Sequence, residues 1–137
     1  MPRRWGAAGL GRIRPALPAP FEVEFAGDSA VQPDVIVILD AQRPRLSRKR
    51  LTGAPAVAIE IISYTSKRSD RIQKRRLYQD EGVSEYWIVD LEQRRVERWR
   101  PADTDPELIT GRLIWRPAPD VPPFELDLVA LFAATNA

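Results

Sequence analysis

Asp34 and Glu60 are carboxylates placed where an ionised side chain is costly. Asp34 stands in Val31-Gln-Pro-Asp-Val-Ile-Val-Ile-Leu, at the mouth of an apolar strand, and Glu60 stands inside Ala56-Val-Ala-Ile-Glu-Ile-Ile. A charge among Val and Ile side chains is unfavourable unless a cation or a hydrogen-bond donor sits beside it. Two such acids on adjacent strands, with a lysine nearby, make a site that could hold a divalent metal and hydrolyse a phosphodiester. Magnesium suits it, since that ion accepts one or two carboxylates and keeps several waters. Strand alternation turns Ile59 and Ile61 away from Glu60 and leaves Ala58 and Ile62 on its side, with room beside Ala58. The main-chain carbonyl of Ile61 could add a ligand, and a lysine would orient the attacking water and stabilise developing charge. Each residue also has a plain reading. Asp34 could cap a Pro-Asp turn, Glu60 could face solvent on an edge strand, and Lys74 could be a surface lysine. The combination favours the site.

The elements that must position these residues follow from pattern. Phe21-Glu-Val-Glu-Phe alternates like a half-buried strand, and Val35–Leu39 and Val57–Ile62 read as buried central strands. Asp40–Thr52 between them reads as a basic loop. A helix is expected from about Ser66 to Glu81, capped by Ser66 or Ser69 and stopped at Gly82. Its inward face would carry Asp70, Lys74, Leu77, Tyr78 and Glu81, so that Asp70 and Lys74 point toward whatever Glu60 faces. Glu85–Asp90 and Arg95–Arg100 form a hairpin, Pro101–Thr110 reads as loop, and Arg112–Arg116 as a short strand. Phe124–Leu128 and a short helix ending near Phe132 close the chain. Trp87, Trp99 and Trp115 are expected in the core. Tyr86, Trp87 and the hairpin after them offer a surface for self-pairing, as double-strand cleavage by a homodimer would favour.

Composition narrows the chemistry. The 137 residues suit one domain, and 44% hydrophobic with 29% charged residues describes a globular chain. The absence of Cys and His excludes thiol nucleophiles and zinc sites built on thiolate or imidazole, and removes the commonest neutral-pH base. No apolar run is long enough to span a membrane, and the Arg-bearing N-terminus does not resemble a secretory signal, so the cytoplasm is expected. Residues 1–20, rich in Gly, Pro and Arg, read as a poorly ordered leader ahead of a single domain over 21–137. The net charge is +2, but the cations cluster: Arg43, Arg45, Arg48, Lys49 and Arg50 in one group, and Lys67 to Arg76 in another. Basic groups flanking the Glu60 strand suit a polyanion such as DNA.

Several short motifs in order then resemble a known family. They are Gln-Pro-Asp at 32–34, Gly-Ala-Pro at 53–55 and Ile-Glu-Ile-Ile-Ser at 59–63, then Asp70, Lys74 and Tyr78 at four-residue spacing, then Gly-Val-Ser-Glu-Tyr-Trp-Ile-Val-Asp at 82–90. From about Phe21 onward the chain resembles the Uma-two family, assigned as restriction endonucleases within the PD-(D/E)XK nuclease superfamily. The resemblance implies a restriction-endonuclease-like α+β or α/β fold, a mixed β-sheet flanked by helices, and Mg²⁺- or Mn²⁺-dependent cleavage of DNA. It implies Asp34 and Glu60 as catalytic metal ligands with the Ile61 carbonyl. Ile62 occupies the third motif position, so Lys74 is the matching catalytic lysine, with Asp70 and Tyr78 in support. Arg43, Arg45, Arg48, Lys49 and Arg50 would grip the nucleic-acid backbone. The family's N-terminal helical segment is replaced here by the short leader, so a shortened copy is expected.

The alternative is a catalytically inactive, truncated nuclease-fold protein that binds nucleic acid or a partner subunit through the same basic groups. A purely structural domain gains little from Glu60. A sugar hydrolase could use two carboxylates, but no aromatic residue stands immediately beside either one.

Overall fold

The computed structural model of the protein describes residues 17–18, 22–63 and 68–135. In chain order the strands are β1 (Leu17–Pro18), β2 (Glu22–Glu24), β3 (Ala30–Val31), β4 (Val35–Val37), β5 (Arg50–Thr52), β6 (Val57–Ile62), β7 (Glu85–Asp90), β8 (Arg95–Trp99), β9 (Glu107–Ile109), β10 (Arg112–Trp115) and β11 (Phe124–Asp127). The helices are α1 (Arg68–Asp80) and α2 (Leu128–Thr135). A six-stranded sheet runs β1-β4-β6-β7-β8-β9. Its β6–β7 joint is parallel and its other joints are antiparallel. A parallel joint needs a crossover rather than a hairpin, and α1 lies in that crossover. Two small sheets, β3-β2-β5 and β10-β11, complete the fold.

Alternation along β6 and β7 divides the core into two layers. Ala58, Ile62, Tyr86 and Ile88 face one side, where Tyr78 of α1 packs with Val23, Phe25 and Leu51 of the β2 region. Val57, Trp87 and Val89 face the other, against Leu113, Trp115, Leu128 and Phe132 from β10 and α2. The expected buried tryptophans are there: Trp87, Trp99 and Trp115 are all in the core. This arrangement is a mixed sheet with flanking helices, in the α+β class. Among the described residues no helix is long and apolar enough to cross a membrane.

α1 ends where glycine was expected to end it. Gly82 has a φ of 81°, and the amides of Gly82 and Val83 donate to the carbonyls of Gln79 and Tyr78, closing the last turn in the left-handed conformation that glycine tolerates. The start differs: Ser69 falls inside α1 and Ser66 lies outside the described residues. The helix is also clasped on both flanks. Tyr78 is fully buried, and Arg75, which is not among the residues expected to face inward, lies 4.3 Å over the Trp99 ring. The Gln79 side-chain amide donates to the carbonyls of Arg100 and Asp103 at 2.9 Å each.

Other expectations need correcting. The segment Asp40–Thr52 is not all loop: Asp40–Arg45 is a 3-10 helix, and β5 pairs parallel with β2. Pro101–Thr110 contains β9, which pairs with β8. Each of these three-residue strands buries one apolar side chain, Leu51 or Ile109, too little for a periodicity to register. Of the leader at 1–20, Leu17–Pro18 forms β1 at the sheet edge, a position open to proline, and the rest lies outside the described residues. Tyr86 and Trp87 are 1% and 3% exposed, so they cannot offer a self-pairing surface. Their strand lies inside the sheet, between β6 and β8.

Arg98 ties the layers together. It is 4% exposed, and its guanidinium donates 2.7 Å to the Ile114 carbonyl on β10 while meeting Glu85 at 3.4 Å and Glu107 at 3.3 Å. Glu85 also accepts from Trp87 Nε1 at 2.8 Å. Removing Arg98 would take from the buried Glu85 its buried cation, leaving the half-exposed Arg100 at 3.4 Å, and would leave the Ile114 carbonyl without its donor. We expect Arg98→Ala to cost about 3–5 kcal/mol in urea unfolding, against less than about 1 kcal/mol for the exposed Arg100→Ala. Equal small losses would show that Arg98 does not join the layers.

Candidate active site

The register of β4 against β6 settles where the two acids lie. Val35 pairs with Ile59 and Ile36 with Ala58, so one residue further on, Asp34 stands opposite Glu60. Directly opposed residues of an antiparallel pair share a face. The carbonyls of Ala56 and Ile62 accept amides from Glu85 and Leu91, on the β7 side. Even-numbered residues of β6 therefore bond toward β7, and odd-numbered residues toward β4. Continued one residue past the ladder, that pattern puts Asp34 beside Glu60, and Asp34 is among the charges that Glu60 feels.

Pro33 and Asp34 lead into β4 just ahead of its first paired residue, Val35. The Ile61 amide donates to Asp34 Oδ2 at 2.7 Å. This bond fixes the Asp34 carboxylate against the end of β6.

Glu60 is 7% exposed and is held from α1. The Tyr78 hydroxyl donates to Glu60 Oε2 at 3.3 Å, and Lys74 Nζ lies 3.6 Å from the same oxygen. Four-residue spacing puts Lys74 and Tyr78 one above the other on the helix, so one helix face meets one carboxylate twice. Burial is the largest influence on Glu60 and raises its carboxyl above the ordinary carboxylate range. The Lys74 ammonium and the Tyr78 hydrogen bond pull it back, while Asp34 adds to the rise. Tyr78 and Tyr86 are both pushed up, first by burial and then by Glu60.

Sequence reasoning thus places Asp34, Glu60, Lys74 and Tyr78 together, with the Ile61 main chain between the acids. Asp70 is exposed on the first turn of α1, and among the described residues no group of three or more acidic, His or Cys side chains gathers as a metal cluster. The groups that could hold a metal here are the two carboxylates, with the Ile61 carbonyl expected from sequence as a third. That set suits magnesium, which retains waters in its remaining positions, and a like-charged pair with a raised carboxyl is one that a cation would relieve. The basic segment is partly consumed by folding. Arg45 donates to the carbonyls of Thr52 and Ala54, and Arg50 pairs with Glu22 and Glu24. Arg43, Arg48 and Lys49 stay exposed.

A family described as "Putative restriction endonuclease", Uma2, matches residues 3–129. The chain belongs to that family. The Uma2 match takes in most of the residues set aside as a leader. Among solved structures, one titled as a "putative nuclease belonging to DUF820" from Anabaena variabilis superposes with a TM-score of 0.72 at 20% identity, covering 96% of this chain and 73% of that one. At that identity the likeness is one of fold. No curated protein matches the sequence.

A raised carboxyl makes a signed prediction. Glu60 binds its proton more tightly folded than unfolded, so its contribution to stability is complete below the ordinary carboxylate value and is lost as pH rises through the raised one. Glu60→Gln should therefore melt about 2–5 °C above wild type at pH 8, and the gap should close by pH 4. A gap that does not change with pH would contradict a raised Glu60 carboxyl.

Proposed function

We propose that this chain is a divalent-metal-dependent DNA endonuclease of the cytoplasm, hydrolysing phosphodiester bonds at the Asp34–Glu60 pair. The observation that carries this reading is the opposition of the two acids on one sheet face, with the Lys74 ammonium 3.6 Å from Glu60. Mg²⁺ or Mn²⁺ would be held by Asp34, Glu60 and the Ile61 carbonyl. When bound, such an ion would neutralise phosphate charge and lower the pKa of water.

The chain's own residues do the rest. Tyr78 fixes the Glu60 carboxylate from behind, and the Ile61 amide fixes Asp34, so both acids are oriented before substrate arrives. Lys74 is 42% exposed at its side chain, which leaves its ammonium able to reach an attacking water and the charge growing on phosphorus. Arg43, Arg48 and Lys49 are the exposed cations of the basic segment available to phosphate backbone.

Plasmid nicking tests this directly. Wild type should nick in Mg²⁺ and stop in EDTA; Asp34→Ala and Glu60→Ala should abolish nicking, and Lys74→Ala should slow it about a hundredfold or more. Equal rates in all four proteins would reject the assignment and leave the inactive, nucleic-acid-binding alternative.

A further inference from the structure

Beside the acidic pair, on the same sheet face, a cleft of about 410 Å³ opens between α1 and β8. Register carries the row from Glu60 to Ile88 to Glu97. The cleft therefore begins one strand from Glu60 and reaches two, or about 10 Å at the usual strand spacing. Its walls include three arginines, Arg71 and Arg75 from α1 and Arg95 from β8, with Trp99 beside them.

Arg75 donates to Gln79 Oε1 at 3.3 Å. The Nε atoms of Arg71 and Arg95 are shielded from solvent and donate to nothing among the described residues. Arg75 is braced over the Trp99 ring. Glu97, the acid in the lining, accepts from Trp99 Nε1 at 3.2 Å. An Nε–H kept from water without an acceptor is costly, and an anion with several acceptor oxygens bound in the cleft would supply one. Guanidinium forks match phosphate geometry better than other side chains do.

We propose that this cleft is a phosphate subsite that holds the nucleic-acid strand across the sheet face while an adjacent segment lies over Asp34 and Glu60. The proposal rests on the nuclease reading for its substrate but not for its chemistry. The buried Tyr86 hydroxyl, influenced by both Glu60 and Arg71, marks where the two regions adjoin. The strand is gripped from α1, the same helix that carries Lys74. Substrate position and the lysine's position are thus set by one rigid body.

Binding of a short single-stranded DNA, measured in EDTA so that turnover plays no part, separates the outcomes. Arg71→Gln/Arg95→Gln should weaken binding about tenfold or more and reduce the slope of log affinity against log salt by about 0.7. Glu60→Gln should bind at least as tightly as wild type. A folded double variant, checked by circular dichroism, that binds with wild-type affinity and slope would overturn the subsite. If that variant does not fold, titration of wild type with inorganic phosphate decides: a saturable change in tryptophan fluorescence, absent in Trp99→Phe, supports the subsite, and no saturable change overturns it. Loss of nicking with this binding intact would count against the nuclease reading alone.

Discussion

The Glu60 carboxylate is the point at which sheet and helix are joined. It sits inside a strand whose other residues are apolar, and its charge is answered from α1 by a hydroxyl and an ammonium on successive turns. Neither contact is strong on its own, since Lys74 is partly in water. Together they fix how the helix is rotated against the sheet, because any other rotation would bury the acid unanswered. α1 is otherwise poorly equipped to dock. Most of its residues are polar, and what anchors it besides Tyr78 is a cation over an aromatic ring and an amide reaching two carbonyls. The orientation that makes Glu60 tolerable is also the one that brings Lys74 to the acids.

The two-layer core explains why such an arrangement can persist. The face opposite the acids is closed by β10, β11 and α2 with large apolar side chains, and Arg98 crosses between the sheets there. A second apolar cluster of equal extent, around Tyr78, Tyr86 and Ile88, packs the site face itself. With both faces filled, the domain can hold a repelling pair of carboxylates and the unpartnered Nε atoms of Arg71 and Arg95. Function-bearing regions commonly carry such local costs, offset elsewhere in the structure.

How much of this was legible in the sequence depended on the strength of each local signal. β6 and β7 were placed to the residue because long apolar runs bounded by turn residues admit few alternatives. The inward set on α1 was right for Lys74 and Tyr78 but misjudged Asp70 and Arg75. A helix with few apolar residues gives a blurred stripe, and the aromatic partner of Arg75 comes from a strand more than twenty residues away in sequence. β5 and β9 escaped notice because three residues with one apolar side chain carry no period. The basic segment looked like a ligand grip when read as a list of charges. In the fold, Arg45 and Arg50 serve to close their own turn and strand, which sequence cannot distinguish from exposed cations. Pairing across strands was the missing knowledge in every case.

The alignment of β4 with β6 has a consequence for how this fold can vary. Side chains alternate with a period of two, so sliding β4 by a single position would swing Asp34 to the far side of the sheet and strand Glu60 alone. The stretch from Asp40 to Thr52 that links those strands is tied down separately, through the pairing of β5 with β2 and the buried Leu51. A residue gained or lost within Val35–Val37 would therefore part the acids directly, whereas one in the connection would disturb β5 and its own small sheet first.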